Sequence, residues 1–340
     1  MRVLVTGAAG MIGTKLVQRL LEEKSLAGRT ITALDLFDVV SNEVAGVPGI
    51  KVETIVGDIS DPHIAARLTE NRPDVVFHLA SVVSGEAETD FDLGYKVNVD
   101  GGRALLEGLR ANNNRPRFVF ASSGAVFGGP MPDLIDDNFA PVPQTSYGTQ
   151  KIIIEAMVQD YSRKGFIEGI SIRLPAICIR PGKPNKAASG FYSGIIREPL
   201  NGLDSVVPIS RDVLHSMASP RSAVGFLIHA AELDSDAIGP CRSLNMPGVY
   251  CTVGEQIDAM ARVAGPQYLR FLRDEPDPII ERIVSTWPRG YDAVRARALG
   301  FKGDADFDEI IRIYIEEEMP NGLPALGHGS GRAATGSELL

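Results

Sequence analysis

The sequence predicts an α/β protein, a Rossmann-type doubly wound parallel sheet with a smaller C-terminal substrate lobe. Three observations point there. A strand, a glycine turn and an amphipathic helix follow one another over residues 3–26, further short apolar runs alternate with helical stretches up to residue 179, and periodicity weakens beyond residue 190. The opening strand is Val3-Leu4-Val5, an apolar β-branched run of the kind buried on both faces. Gly7, Gly10 and Gly13 come next, and Ile12, Leu16 and Leu20 then recur at a helical period. The first glycine permits a tight turn, the second lets backbone approach a pyrophosphate, and the third lets the helix close on the strand. The helix N-terminus adds free N–H groups and positive dipole for phosphates.

Residues 30–34 form the second expected strand, ending at Asp35, which lies 22 residues past Gly13. That suits a carboxylate on the adenosine ribose, with a strand-end cap as the alternative. Such a carboxylate repels a 2′-phosphate, and Leu36 and Phe37 bring no arginine to receive one, so NAD is favoured over NADP. A third strand at 51–56 leads to Gly57-Asp58-Ile59, where Asp58 is equally a cofactor-side acid or the cap of a helix starting near Pro62. The fourth, 74–79, runs into the small residues Ala80 and Ser81, fitting a place where cofactor passes close to backbone. His63 and His78 read as packing residues. A helix over 93–109 carries Leu93, Val97, Leu105, Leu106 and Leu109, and Asn98 in its buried stripe requires a polar partner.

The fifth strand, 118–121, ends at Ser122 and Ser123. Tyr147 opens the next helix, and Lys151 stands one turn on, on the same face. With Ile152, Ile153, Ile154, Met157 and Val158 this helix has two faces to bury. A second copy of the chain is the economical partner, giving a homodimer through the helices at 93–109 and 147–161. A sixth strand, 169–179, is broken by Pro175, and the loop after it carries Arg180, Lys183 and Lys186. Helices follow at 222–231, 253–263 and 306–317. The expected division is a cofactor-binding domain at 1–175, with segments returning from later in the chain, a substrate lobe at 176–318, and a disordered tail at 319–340.

A net charge of −9 argues against nucleic acid, which demands clustered cations. Cys178, Cys241 and Cys251 are too scattered for a disulfide framework or a zinc site, and read as reduced packing residues. No metal is expected. With a strand beginning at residue 2 and no long apolar run, the expectation is a cytoplasmic protein without a membrane partner.

Ser123, Tyr147 and Lys151 make sense as a proton-handling set beside a hydride acceptor. A free tyrosine titrates near ~10, and an ammonium and a cationic nicotinamide both favour phenolate. A drop of two to three units needs about 3–4 kcal/mol of differential stabilisation. Ser123 then holds a substrate hydroxyl while Tyr147 takes its proton as hydride leaves the same carbon.

Residues 1 to about 318 resemble the extended short-chain dehydrogenase/reductase family. The matching pieces are Thr6–Gly13 (Thr-Gly-Ala-Ala-Gly-Met-Ile-Gly), Gly57-Asp58-Ile59, His78-Leu79-Ala80-Ser81, Asn98-Val99-Asp100-Gly101, Ser122–Gly128 and Tyr147-Gly148-Thr149-Gln150-Lys151. The resemblance implies NAD held by Gly7, Gly10, Met11, Ile12, Gly13, Asp35, Asp58, Ile59, Leu79, Ala80, Ser81, Asn98, Tyr147, Lys151 and Pro175. It implies catalysis by Ser123, Tyr147 and Lys151. Within the family, Arg211-Asp212-Val213-Leu214-His215 is similar to nucleotide-sugar epimerases, whose arginine there meets a diphosphate. Their Arg-Tyr-Phe-Asn is here Arg173-Leu174-Pro175-Ala176, and alanine lacks the amide that touches their substrate. The stretch 180–200 is similar instead to members that oxidise the C2 hydroxyl of a four-carbon sugar acid with NAD. That implies a small anionic sugar acid contacted by Ser81, Ser123, Arg180, Lys183, Lys186 and Ser189, a cationic loop suiting its carboxylate. Two other readings stay open, an epimerase with tightly held NAD and a non-catalytic NAD sensor.

Overall fold

The computed structural model describes residues 1–42, 44–182 and 189–324. Lys183 and Lys186 therefore lie outside the described residues, as does the tail from residue 325 on. Seven parallel strands form the central sheet: β1 (Arg2–Thr6), β2 (Ala33–Asp38), β3 (Lys51–Val56), β4 (Val75–His78), β5 (Arg117–Ser123), β6 (Glu168–Leu174) and β7 (Ser243–Asn245). Their spatial order is β3-β2-β1-β4-β5-β6-β7, so the order reverses between β1 and β4. In such sheets ligands bind beyond the strand ends at that reversal.

Side chains alternate along each strand and bury two faces. Val3, Val5, Val75, Phe77 and Val119 pack on one side with Leu16, Val17 and Leu20 of α1 (Met11–Glu23) and with Phe226 and Leu227 of a later helix, Pro220–Glu232. Leu4, Val76, Phe118 and Phe120 face the other side, against Leu105, Leu106 and Leu109 of α2 (Gly102–Asn112) and Ile154 and Val158 of α3 (Ser146–Arg163). A separate core gathers Ile179, Tyr192, Ile195 and Ile196 with Ile257, Met260, Ile310 and Ile311.

Three elements differ from expectation; one is the sixth strand, which ends at Leu174, while Ala176–Ile177 pairs instead with Leu214–Ala218 in a separate sheet. The second strand is Ala33–Asp38, not 30–34, because a small antiparallel pair, Ser25–Leu26 with Arg29–Thr30, takes up the chain before it. The expected helix 93–109 is in three pieces, Phe91–Tyr95, a π-helical turn at Lys96–Gly101, and α2. Asn98 lies in that π turn, a local widening that recurs at functional sites. Buried His78 meets Thr6 Oγ1 at 2.8 Å and packs on Phe118 and Phe120, in keeping with a packing role. Cys178 and Cys251 are buried, but Cys241 is exposed and fills no core space. Among the described residues no helix is long and apolar enough to cross a membrane, and no acidic, His or Cys cluster could hold a metal.

α3 inverts the usual arrangement. Its buried residues include Gln150, Lys151 and Glu155, whereas Ile152, Ile153 and Met157 stay half-buried. Glu155 accepts two bonds from the Arg173 guanidinium, Nε at 3.0 Å and Nη2 at 2.7 Å, and one from Ser122 Oγ at 2.5 Å. The pair ties α3 to the ends of β5 and β6. Glu155→Gln leaves the Arg173 charge buried without its counterion, so chemical denaturation is expected to show a loss of about 3–5 kcal/mol. A loss under about 1 kcal/mol would show that the pair does not hold these elements together.

Candidate active site

A single cleft of about 1270 Å³ opens beyond the ends of β1, β2, β4 and β5. It exceeds the ~300–1,000 Å³ typical of a small-molecule pocket, as a dinucleotide together with a substrate requires. Gly7, Gly10, Met11, Ile12 and Gly13 form one wall. Gly7 has a φ of +76°, and an added Cβ would stand 2.7 Å from Ala80 N. At Gly13 a Cβ would fall 2.0 Å from the Gly7 carbonyl oxygen, so the helix start and the turn touch through glycine alone. Gly10 precedes α1 without a side-chain cap, and no acid lies in the first turn. Uncapped N–H groups and a positive dipole therefore face the cleft across a turn whose tight packing on Ala80 and on itself needs glycine at 7 and 13, a fit to a pyrophosphate.

Asp58, Ile59, Leu79, Ala80, Ser81 and Pro175 also line the cleft. Asp58 is not the cap of the helix at Pro62–Glu70. That is Asp61, while Asp58 receives the N–H and hydroxyl of Ser60 at 2.9 and 2.6 Å.

Three expected contacts are displaced. Asp35 is 1 % exposed, sits opposite Leu4 inside the sheet, and binds Arg2 Nη1 through both oxygens at 2.6 and 2.9 Å. Residues an odd number apart on a strand face opposite sides, and the strand end reaching the cleft is Asp38, which accepts the Ala9 N–H at 2.9 Å. The small antiparallel pair Ser25–Leu26 with Arg29–Thr30 lies between the glycines and this strand and takes up the intervening chain. Asn98 does not line the cleft. It accepts the Val82 N–H at 2.8 Å and the Ser81 hydroxyl at 3.0 Å, and donates to Gln150 Oε1 at 2.7 Å. It thus shapes the 80–82 turn from behind. Lys151 is the third, 3 % exposed, with Nζ donating to the Ala121 carbonyl at 2.9 Å and standing 5.3 Å from the Tyr147 ring centre.

Ser81, Ser123, Tyr147, Arg180 and Ser189 line the same cleft, with the Ser81 hydroxyl and the Arg180 charge acting on Tyr147 and Ser189 bonded to Arg180. Ser123 closes β5 and accepts the Ala125 N–H at 3.1 Å. Tyr147 enters from the first turn of α3, whose N-cap is Thr145. Burial pushes the Tyr147 phenol up to about 12, with the Ser81 hydroxyl and the Arg180 charge opposing. Burial pushes Lys151 down to about 7, opposed by Glu155. The expected lowering of the tyrosine by Lys151 is therefore absent from the protein by itself. Both groups are desolvated, and the amine is spent on a carbonyl on the ring's face.

A pH dependence follows. Lys151 binds its proton more weakly folded than unfolded, so between about pH 7 and 10.5 the unfolded chain carries the extra proton and stability rises with pH. The slope from one such group is at most about 1.4 kcal/mol per pH unit. Measured between pH 7.5 and 8.5, wild type is expected to gain stability relative to Lys151→Met. Parallel curves would remove the buried, low-affinity lysine.

Arg180 donates Nε to the Ile177 carbonyl at 2.9 Å and Nη2 to Ser189 Oγ at 2.8 Å, and burial pulls its pKa down. Among the described residues it has no carboxylate partner. Arg211 does, holding Asp274 through two bonds of 2.9 Å outside the cleft wall. Ala176 lines the cleft. His215, Trp287 and Tyr291 also line it. The sequence assigns them no catalytic or cofactor role, since they reach the cleft from chain segments far from the glycine loop in sequence.

Comparison with known proteins gives the family. Residues 3–217 match the family described as the NAD dependent epimerase/dehydratase family. The chain is 46% identical over 321 residues to a D-erythronate dehydrogenase of Cupriavidus necator, covering 93% of this chain and 98% of that one. It is 42% identical to a D-erythronate dehydrogenase of Haemophilus influenzae, covering 94% and 100%. A crystal structure described as a nucleoside-diphosphate-sugar epimerase from Agrobacterium tumefaciens superposes with a TM-score of 0.93 at 51% identity, over 95% of this chain and 96% of that one. The chain belongs to the NAD-dependent epimerase/dehydratase family of extended short-chain dehydrogenases/reductases.

Proposed function

We propose that this protein is an NAD-dependent dehydrogenase that oxidises the C2 hydroxyl of a small sugar acid such as D-erythronate to the 2-oxo acid. The observation that carries the reading is a guanidinium without a carboxylate partner among the described residues, Arg180, in the same cleft end as Ser123 and Tyr147. A fixed cation beside a proton-handling pair suits a hydroxy acid, whose carboxylate and alcohol lie on adjacent carbons. NAD rather than NADP is favoured by Asp38, since Val39 and Val40 after it offer no cation for a 2′-phosphate.

Bound NAD supplies the hydride acceptor and a cationic ring, the positive charge that burial of Lys151 withdraws from this site. The chain does the rest. Arg180 holds the carboxylate and the Ser123 hydroxyl orients the alcohol. Tyr147 Oη, ionised once a cationic ring stands beside it, takes the alcohol proton as the C2 hydrogen leaves with its electron pair as hydride to the cofactor and C=O forms. Lys151 anchors α3 to β5 behind the phenol, and Asn98 fixes the turn bearing Ser81. The epimerase reading loses its two expected contacts, because Arg211 is occupied by Asp274 and Ala176 offers no amide. The half-buried Ile152, Ile153 and Met157 on α3 support a homodimer through that helix and the helical stretch ending in α2.

The test is purified protein with NAD against a panel of four- and five-carbon aldonates and a UDP-sugar. NADH formation with an aldonate is expected. Interconversion of the UDP-sugar without net NADH would replace this reading with the epimerase, and an NAD-induced rise in melting temperature without turnover would leave the sensor.

A further inference from the structure

Tyr291 is a second phenol at the reacting end of the cleft. It arrives on a two-residue strand, Gly290–Tyr291, that pairs in parallel with Leu134–Ile135, and the Asp292 N–H locks it by donating to the Ile135 carbonyl at 2.9 Å. Its ring packs 6.1 Å from that of Phe127, and the residue is only 8 % exposed. The hydroxyl occupies the space of a missing side chain. A Cβ added to Gly124, the residue after Ser123, would fall 1.7 Å from Tyr291 Oη. Among the described residues no protein group pairs with this hydroxyl, and it is open to the cleft that Tyr291 lines with Ser123 and Tyr147. A phenol hydroxyl that faces a cleft and has no partner in the protein is free to donate to a ligand held there.

We infer that Tyr291 is a substrate contact whose hydroxyl donates to the C3 hydroxyl beside the carbon being oxidised, so that the site selects 2,3-dihydroxy acids over 2-hydroxy acids lacking that group. The inference rests on the dehydrogenase reading above and deepens it. A carboxylate is the less fitting recipient, since Arg180 already serves that end with a charge. Burial pushes the Tyr291 phenol up, so it stays a neutral donor throughout the working pH range. Gly124 is then a specificity residue too, as the position whose lack of a side chain admits the phenol.

The experiment is steady-state kinetics of the full protein with NAD on D-erythronate and on 2,4-dihydroxybutanoate, which differs only by loss of the C3 hydroxyl. Tyr291→Phe keeps the ring and its packing. It is expected to lower kcat/KM for D-erythronate about tenfold, mostly through KM, and to leave the deoxy acid unchanged. Gly124→Ala, which displaces the phenol, is expected to give the same one-sided loss. Melting temperatures with and without NAD verify that each variant is folded and binds cofactor. Unchanged kinetics in Tyr291→Phe, or equal losses on both acids, overturn the inference while leaving the dehydrogenase reading intact. A wild-type protein inert on both acids removes that reading, and this inference with it.

Discussion

Tyr147→Phe is expected to lower kcat by about a hundred- to ten-thousandfold, the range of a lost proton-transfer group. Cofactor binding should survive, because the substitution leaves the glycine wall and Asp38 unchanged. The melting temperature should change little, since phenylalanine keeps the ring and only the hydroxyl's bond with Ser81 is lost. Titration of NAD by protein fluorescence beside turnover assays separates the two effects. Retained turnover would take the proton role away from Tyr147, and Ser123 or Tyr291 would be the next candidate.

Arg180→Gln is the second large effect. Removing a charge-assisted carboxylate contact in a partly buried site costs about 2–5 kcal/mol, so KM for D-erythronate should rise about a hundredfold with kcat less affected. The control is the methyl ester, which carries no charge. Wild type should strongly prefer the acid, and the variant should lose most of that preference. Equal losses on acid and ester would reduce Arg180 to a strut for the Ile177 carbonyl and Ser189. That outcome would move the carboxylate to the stretch with Lys183 and Lys186.

The parts of this molecule that depend on neighbours in sequence are legible in the sequence. The Val3–Val5 run followed by Gly7, Gly10 and Gly13 encodes a strand, a turn and a helix whose fit depends on missing side chains. Tyr147 and Lys151 share a helix face by period alone, and Asn98 in an apolar stripe signals a buried polar partner, found in Val82, Ser81 and Gln150. Counting failed where a small strand pair takes up chain between the glycines and the second strand. The Ser25–Thr30 pair moved the cleft acid from Asp35 to Asp38, and no periodicity registers such a change. Environment was also hidden. Lys151 is a cation in the sequence, but 3 % exposure against the Ala121 carbonyl makes it a weakly basic amine. Tyr291 and His215 reach the cleft only because the second lobe folds back over the first, a pairing of distant segments without a local pattern.

The most direct measurement of the central claim follows the hydrogen that leaves C2. D-erythronate deuterated at C2 is incubated with the protein and NAD, and the reduced cofactor is analysed by mass spectrometry. One deuterium per NADH, with a 2-oxo acid as co-product, is the predicted result. NADH formed without deuterium would place oxidation at another carbon, and absence of NADH would contradict the account altogether.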